Sequence, residues 1–196
     1  MELSINKITN EQIDILILNS KSATNSLGIV WPYHFAFEST NLNWYDISFA
    51  IENGYLSHKS AIEHAEFELS NEEYPKNVLD LAILTADEAI YPHSIQPYVT
   101  ELAEMVSEQE KSMTKNKMLY LALKWIFEHK ANYEDPLKVI EIIYSNFDYP
   151  KSISHFVRYM PMVGPDLGST ELNVERLFSS WKSFIEKQEI LFGKNN

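Results

Sequence analysis

The chain has 196 residues and 22.8 kDa, 45% of them apolar and 13% aromatic, enough to fill one sizeable core, so disorder and collagen-like structure are excluded. It has no cysteine, which removes a disulfide framework, a thiolate metal site and a cysteine nucleophile. Twenty-eight acids against sixteen Lys plus Arg leave a formal charge of −12.

The sequence opens Met1-Glu2-Leu3-Ser4 without a basic leader, and its strongest apolar runs, such as Leu81 to Leu84, are far below membrane-spanning length. This reads as a soluble, cytoplasmic protein. Apolar spacing is mostly helical and helix punctuation is frequent, so the expected class is mainly α. Eight or nine helices are expected, in an irregular bundle or a short stack of antiparallel helical hairpins, forming a single domain over 1–196. Thr9, with Gln12 three residues on, opens a helix to about Ser20, or else Ile13 to Leu18 form a buried strand. Large apolar residues alternate from Ile29 to Phe37, as in a short extended segment, with Pro32 restricting it to an edge. This aromatic stretch is either an exposed anchor for a partner or a lid packed into the core.

Asn43 caps a helix ending near Gly54, and Ser57 caps another that Tyr74-Pro75 stops. Asn77 to Glu88 is apolar almost all round, which places it centrally in the core. Helices follow from Ser94 toward Glu110, from Thr114 toward Lys130, and from Asp135-Pro136, an N-cap with proline at the first helical position, to about Phe147. Tyr149-Pro150 opens a shorter helix through Met160. Pro161, Gly164, Pro165 and Gly168 then break the chain before a final amphipathic helix from about Thr170 to Leu191. Ser70 to Lys76 recurs as Ser145 to Lys151, suggesting a helix-turn-helix duplication of 59–88 as 134–163.

Between residues 61 and 110 twelve acids face Lys76 alone, a net of eleven negative charges, while the rest of the chain is nearly neutral. Such a field repels nucleic acid and anionic lipid, so neither nucleic acid nor membrane is an expected partner, and a basic protein is. The block is either the solvated face of several helices or a docking surface centred on Glu63, Glu66, Glu68, Glu72 and Glu73. The lysines at 111, 115, 117, 124 and 130 complement it within one molecule or between copies, leaving a homo-oligomer open.

Signatures of catalysis are missing. The six histidines show no His-x-x-x-His pair, and His64 with Glu68 reads as a surface contact, so no metal is expected. Gly164 to Gly168 lacks the lysine and preceding strand of a phosphate loop, and there is no Gly-x-Ser-x-Gly elbow, so no cofactor and no catalytic residue are assigned. The densest constellation is His155-Phe156-Val157-Arg158-Tyr159-Met160. A histidine beside an anion-gripping arginine suits a small carboxylate or phosphate, with Tyr159 adjoining and Asp80 contributing if the repeat halves face each other. The plainer reading pairs Arg158 with a nearby carboxylate. Asp80 and Asp87 are the polar exceptions in the apolar 77–88 segment.

At Asp135-Pro136, Phe147-Asp148-Tyr149-Pro150, Phe156-Val157-Arg158-Tyr159-Met160-Pro161 and Trp181 the chain resembles an uncharacterised bacterial domain family, most clearly over residues 115 to 190. That resemblance implies a bacterial origin and carries no activity, cofactor or site residue with it. The expected function is a non-catalytic module that binds a basic protein through its acidic surface, by analogy with immunity proteins that neutralise toxins. The alternative is a small-ligand binder or enzyme with a pocket around His155 and Arg158.

Overall fold

The computed structural model describes residues 7–85 and 87–194; the opening Met1 to Ser4 and Ala86 of the 77–88 segment lie outside them. The described residues form nine α-helices, three 3-10 turns and no strand beyond an isolated parallel bridge between Ile8 and Tyr133. The mainly α class expected from periodicity therefore holds. No helix among the described residues is long and apolar enough to cross a membrane. The packing divides into two compact units, residues 7–28 with 119–193 and residues 29–118 with 194.

The first unit holds α1 (Asn10–Asn19), the later part of α7 (Glu108–Glu128), α8 (Pro136–Asn146) and α9 (Thr170–Phe192), with 3-10 turns at Lys130–Asn132 and Ser154–Phe156. α1 starts where the sequence placed it, with Thr9 and Gln12 each bonding the other's backbone N–H. This settles helix over strand. α8 opens on Asp135, whose Oδ1 accepts from the N–H groups of Leu137 and Lys138. α9 opens on Ser169, and of the stripe Leu177, Phe178, Trp181, Phe184 and Ile185 that the spacing predicts, the last three are buried and the first two half-buried. Beside them lie Leu121, Leu123, Ile126, Ile140, Ile143, Phe147 and Phe156 of the same unit, all buried.

The helix expected from Tyr149-Pro150 to Met160 does not form. Asp148 and Tyr149 both take left-handed backbone angles, with φ of 60° and 56°, while Tyr149 N–H closes onto the Tyr144 carbonyl at 2.9 Å. The chain leaves that reversal on a path supporting only the 3-10 turn Ser154–Phe156. The two echoed segments accordingly differ in backbone, since Ser70 to Lys76 leads into an α-helix.

The second unit holds α2 (Tyr33–Ser39), α3 (Trp44–Glu52), α4 (Lys59–Glu68), α5 (Lys76–Ala82), a 3-10 turn at Glu88–Ile90, α6 (Pro92–Glu104) and the first part of α7. α3 packs on α6, and α5 packs on both α4 and α6. Residues 29–32 are outside any helix, with Pro32 extended, but from Tyr33 the expected alternation gives way to a helix. Pro32 fits the extended cap position, and Phe35, Ala36 and Ser39 then bury one helical face, which period two would have split. Trp31 is buried and stacks on Tyr55 at 4.4 Å between ring centroids, so this end of the aromatic stretch is core.

Two further expectations are corrected. The 77–88 segment is not a central helix: α5 stops at Ala82, because Thr85 N–H and Oγ1 both donate to Glu88 Oε2 at 2.8 Å and start a new turn. Val78 and Leu81 are buried, whereas Leu79 and Ile83 are exposed. The break between the next two helices falls at residues 105–107 instead of 111–113. Ser107 and Glu110 form a capping box there, while Thr114 lies inside α7, buried, with Oγ1 donating to Asp46 Oδ1 at 2.5 Å.

Candidate functional site

Arg158 and His155 line one cavity of the first unit, 490 Å³ in volume, as the sequence proposed. They do not share a helical face, because the backbone there is a 3-10 turn running into extended Val157. Arg158 is neutralised: Nε and Nη2 reach the two carboxylate oxygens of Glu141 at 3.1 and 3.3 Å, and Nη1 reaches Asp135 Oδ2 at 2.9 Å. Burial alone would lower its pKa, but these carboxylates outweigh it and hold the guanidinium more firmly charged than usual. Arg158 therefore ties the start of α8 to its middle, the plainer of the two readings. Tyr159 is exposed, turns its ring toward Tyr144 and is not among the lining residues. Asp80 is not among them either; it belongs to the second unit, on α5, 3.5 Å from Lys76.

The residues that sequence reasoning missed come from α9. Asn173, Arg176 and Ser180 line the 490 Å³ cavity, and Arg176, Ser180, Ser183 and Lys187 line a second one of 480 Å³ that also contains His155. Their spacings of three, four, three and four residues form a polar stripe on one helical face, a signal present in the sequence beside the more conspicuous apolar stripe. Arg176 Nη1 donates to the Pro165 carbonyl at 2.7 Å and Nη2 to Asn173 Oδ1 at 3.0 Å, pinning the loop before α9. Gly164 and Gly168, with φ of 89° and 83°, give that loop turns disfavoured for other residues. Burial, and then the nearby Lys187 ammonium, push the His155 imidazole below its ordinary pKa.

The acidic block falls in the second unit, and nine of its twelve acids are exposed. Glu66, Glu72 and Glu73 are exposed and form no hydrogen bond or ion pair among the described residues. Glu63 pairs with Lys59 at 3.4 Å. Glu68 departs from the rest, since Oε2 accepts from Trp44 Nε1 at 2.9 Å and Oε1 lies 3.5 Å from His64 Nε2, with His64 itself buried and its Nδ1 2.8 Å from Tyr33 Oη. Burial raises the Glu68 pKa, but His64 and Trp44 overcome it and hold the carboxyl below its usual range. For Tyr33, burial first and then Glu63 and Glu68 push the phenol pKa up, so it stays protonated.

The same block exposes apolar side chains. Leu79 on α5, Ile83 at its end, and Ile90 and Tyr91 before α6 are all exposed, in a stretch of chain that also carries exposed Asp87 and Glu88. Several of the complementary lysines are already engaged, Lys111 with Glu108 at 2.9 Å, Lys117 with Asp46 at 2.6 Å, and Lys124 with Glu128 and Glu189 at 2.9 and 3.0 Å. No group of three His, Asp or Glu side chains gathers for a metal ion among the described residues.

The family model described as an uncharacterised protein conserved in bacteria, DUF2247, matches residues 33–189. The chain belongs to this family. The match covers α2 through nearly all of α9, and so takes in both the acidic block and the cavities around His155. No curated protein and no solved structure matched the chain.

Proposed function

We propose that this DUF2247 protein is a non-catalytic binding module whose second unit takes a basic protein partner. The observation that carries the reading is the coincidence, on residues 66–104, of exposed carboxylates, with Glu66, Glu72 and Glu73 unpaired among the described residues, and exposed Leu79, Ile83, Ile90 and Tyr91. Isolated exposed apolar residues are ordinary, but a run of them on one segment, rimmed by charge of one sign, has the composition of a protein-binding surface. The carboxylates steer a cationic surface inward, and the apolar side chains slow its release once docked. In its sharper form the partner is a basic toxin domain that the module occludes, a role needing neither cofactor nor catalytic group. Glu68 drops out of the docking set, because its carboxylate is committed to Trp44 and His64; the set is Glu66, Glu72 and Glu73, with Glu63 at its margin.

Affinity capture of the tagged protein from its own lysate, with mass-spectrometric identification and repetition using the purified partner, tests this. The expected result is one basic protein, released at high salt, weakened by joint change of Glu66, Glu72 and Glu73 to Gln, and weakened again by Ile83→Ser. A protein captured equally well by both variants, or insensitive to salt, sinks the reading.

A further inference from the structure

The two cavities meeting at His155, Arg176 and Ser180 have a charge opposite to that of the chain. The protein carries 28 acids and only two arginines, yet both arginines, His155 and Lys187 line these cavities, and none of the described lining residues is acidic. The groups are not equivalent. Arg158 is spent on Glu141 and Asp135. Arg176 is held by neutral acceptors only, the Pro165 carbonyl and Asn173; Asp166 is close enough for their charges to act on each other but is itself bonded by Asn173 Nδ2 and Gly168 N–H. Lys187 makes no ion pair among the described residues.

We propose that this double cavity binds a small molecule with an oxyanion head, carboxylate or phosphate, on an apolar body. The head lies toward Arg176, His155 and Lys187, where Ser180 and Ser183 add hydroxyl donors and a guanidinium fork suits paired oxygens. The body occupies the 490 Å³ cavity, whose walls are Met160, Met162, Val163, Val174 and Leu177. That volume lies within the range of pockets that enclose small ligands, and a mostly apolar wall with a few convergent polar groups is their usual composition. Thioether side chains adapt to apolar bodies of varied shape. Arg176 also anchors the 161–169 loop, so filling the cavity and ordering that loop act through the same side chain. The site is independent of the acidic surface and stands or falls separately from it.

Titration calorimetry on the full chain tests the assignment with octanoate and octyl phosphate as probes, and with 1-octanol and inorganic phosphate as the two halves of the ligand. The expected result is saturable one-to-one binding of either octyl anion. Octanol should bind at least about tenfold more weakly, because it forgoes hydrogen bonds to a charged head, and so should phosphate, because it buries no apolar chain. Comparison of octanoate with octyl phosphate tells which head the site favours. Lys187→Gln, an exposed change, should weaken the octyl anions several-fold, and Arg176→Lys should weaken them while keeping the charge. Lys182→Gln, on the same helix but outside both linings, should leave their affinity unchanged. The inference is overturned if neither octyl anion saturates, if octanol or phosphate alone binds as well, or if Lys187→Gln and Arg176→Lys bind like the wild type while their circular-dichroism melts show them folded.

Discussion

The Lys117 ammonium lies 2.6 Å from Asp46 Oδ2, and Asp46 has no solvent exposure at all. The carboxylate is further bound by Thr114 Oγ1 and by the backbone N–H of Asn43, so a single group closes the start of α3 onto α7 within the second unit. Removing one partner from such a pair leaves a buried charge without compensation, whereas removing both together is far less costly. Lys117→Met is expected to cost about 3 kcal/mol, and adding Asp46→Asn to it should recover part of the loss. Urea denaturation of the wild type and the two variants measures this; a Lys117→Met loss below about 1 kcal/mol would show the pair to be solvated in practice.

Glu68 gives the second unit a pH dependence with a definite sign. Its carboxyl titrates lower in the folded chain than in the unfolded one, because the contributions of His64 and Trp44 exceed the opposing effect of burial. The stabilisation is therefore fully present above the unfolded carboxylate pKa and is lost as pH falls through the folded value. Glu68→Gln keeps an acceptor for Trp44 but cannot ionise, so it should be roughly 1 kcal/mol less stable than wild type at pH 7. That gap should shrink as pH drops below about 5. Denaturation curves for both proteins at pH 7, 5 and 4 decide it, and a gap constant over that range rules the account out.

Asp135 does two things at once, and conservative substitution separates them. Oδ1 caps α8 through Leu137 and Lys138 N–H, while Oδ2 pairs with Arg158, which is partly exposed. Asp135→Asn keeps the cap and loses only the ionic part, worth about 0.2–1 kcal/mol at such a surface. Asp135→Ala loses the cap too, a further cost of about 1 kcal/mol. Thermal melts should rank wild type, Asn, Ala in that order. Equal losses for Asn and Ala would mean that the ion pair, not the cap, holds this end of the helix.

Where the sequence was legible, and where not, follows from which interactions are local. The starts of α1, α3 and α8 were readable because Thr9, Asn43 and Asp135 satisfy N–H groups two or three residues away. The Ser107–Glu110 box is equally local but was hidden inside a continuous polar run, which moved the boundary before α7. The path of the 149–160 segment differs from the expected helix because two consecutive residues are left-handed, Asp148, whose type tolerates that conformation, and Tyr149, whose side chain does not advertise it. At the cavity, His155 and Arg158 stood out by residue type and Arg176 did not; what separates the two arginines is the company of Glu141 and Asp135, contacts of Arg158 with residues far from it in sequence.

The 77–88 segment shows the same limit most clearly and supplies a sharp test. Composition alone makes Ile83 a core residue, and truncating a core isoleucine would cost about 2–5 kcal/mol. In the fold, Thr85 and Glu88 end the helix, and Ile83 is 67% exposed. Ile83→Ser should then change stability by no more than about 0.5 kcal/mol, the ordinary range for surface substitutions. Leu81→Ala, two residues earlier and fully buried, should cost at least about 2 kcal/mol. Chemical denaturation of the two variants side by side separates the cases. A large loss for Ile83→Ser would return that side chain to the core and remove it from the proposed docking surface. A small one, joined to weaker capture of the basic partner, is the outcome expected of a side chain kept at the surface for binding.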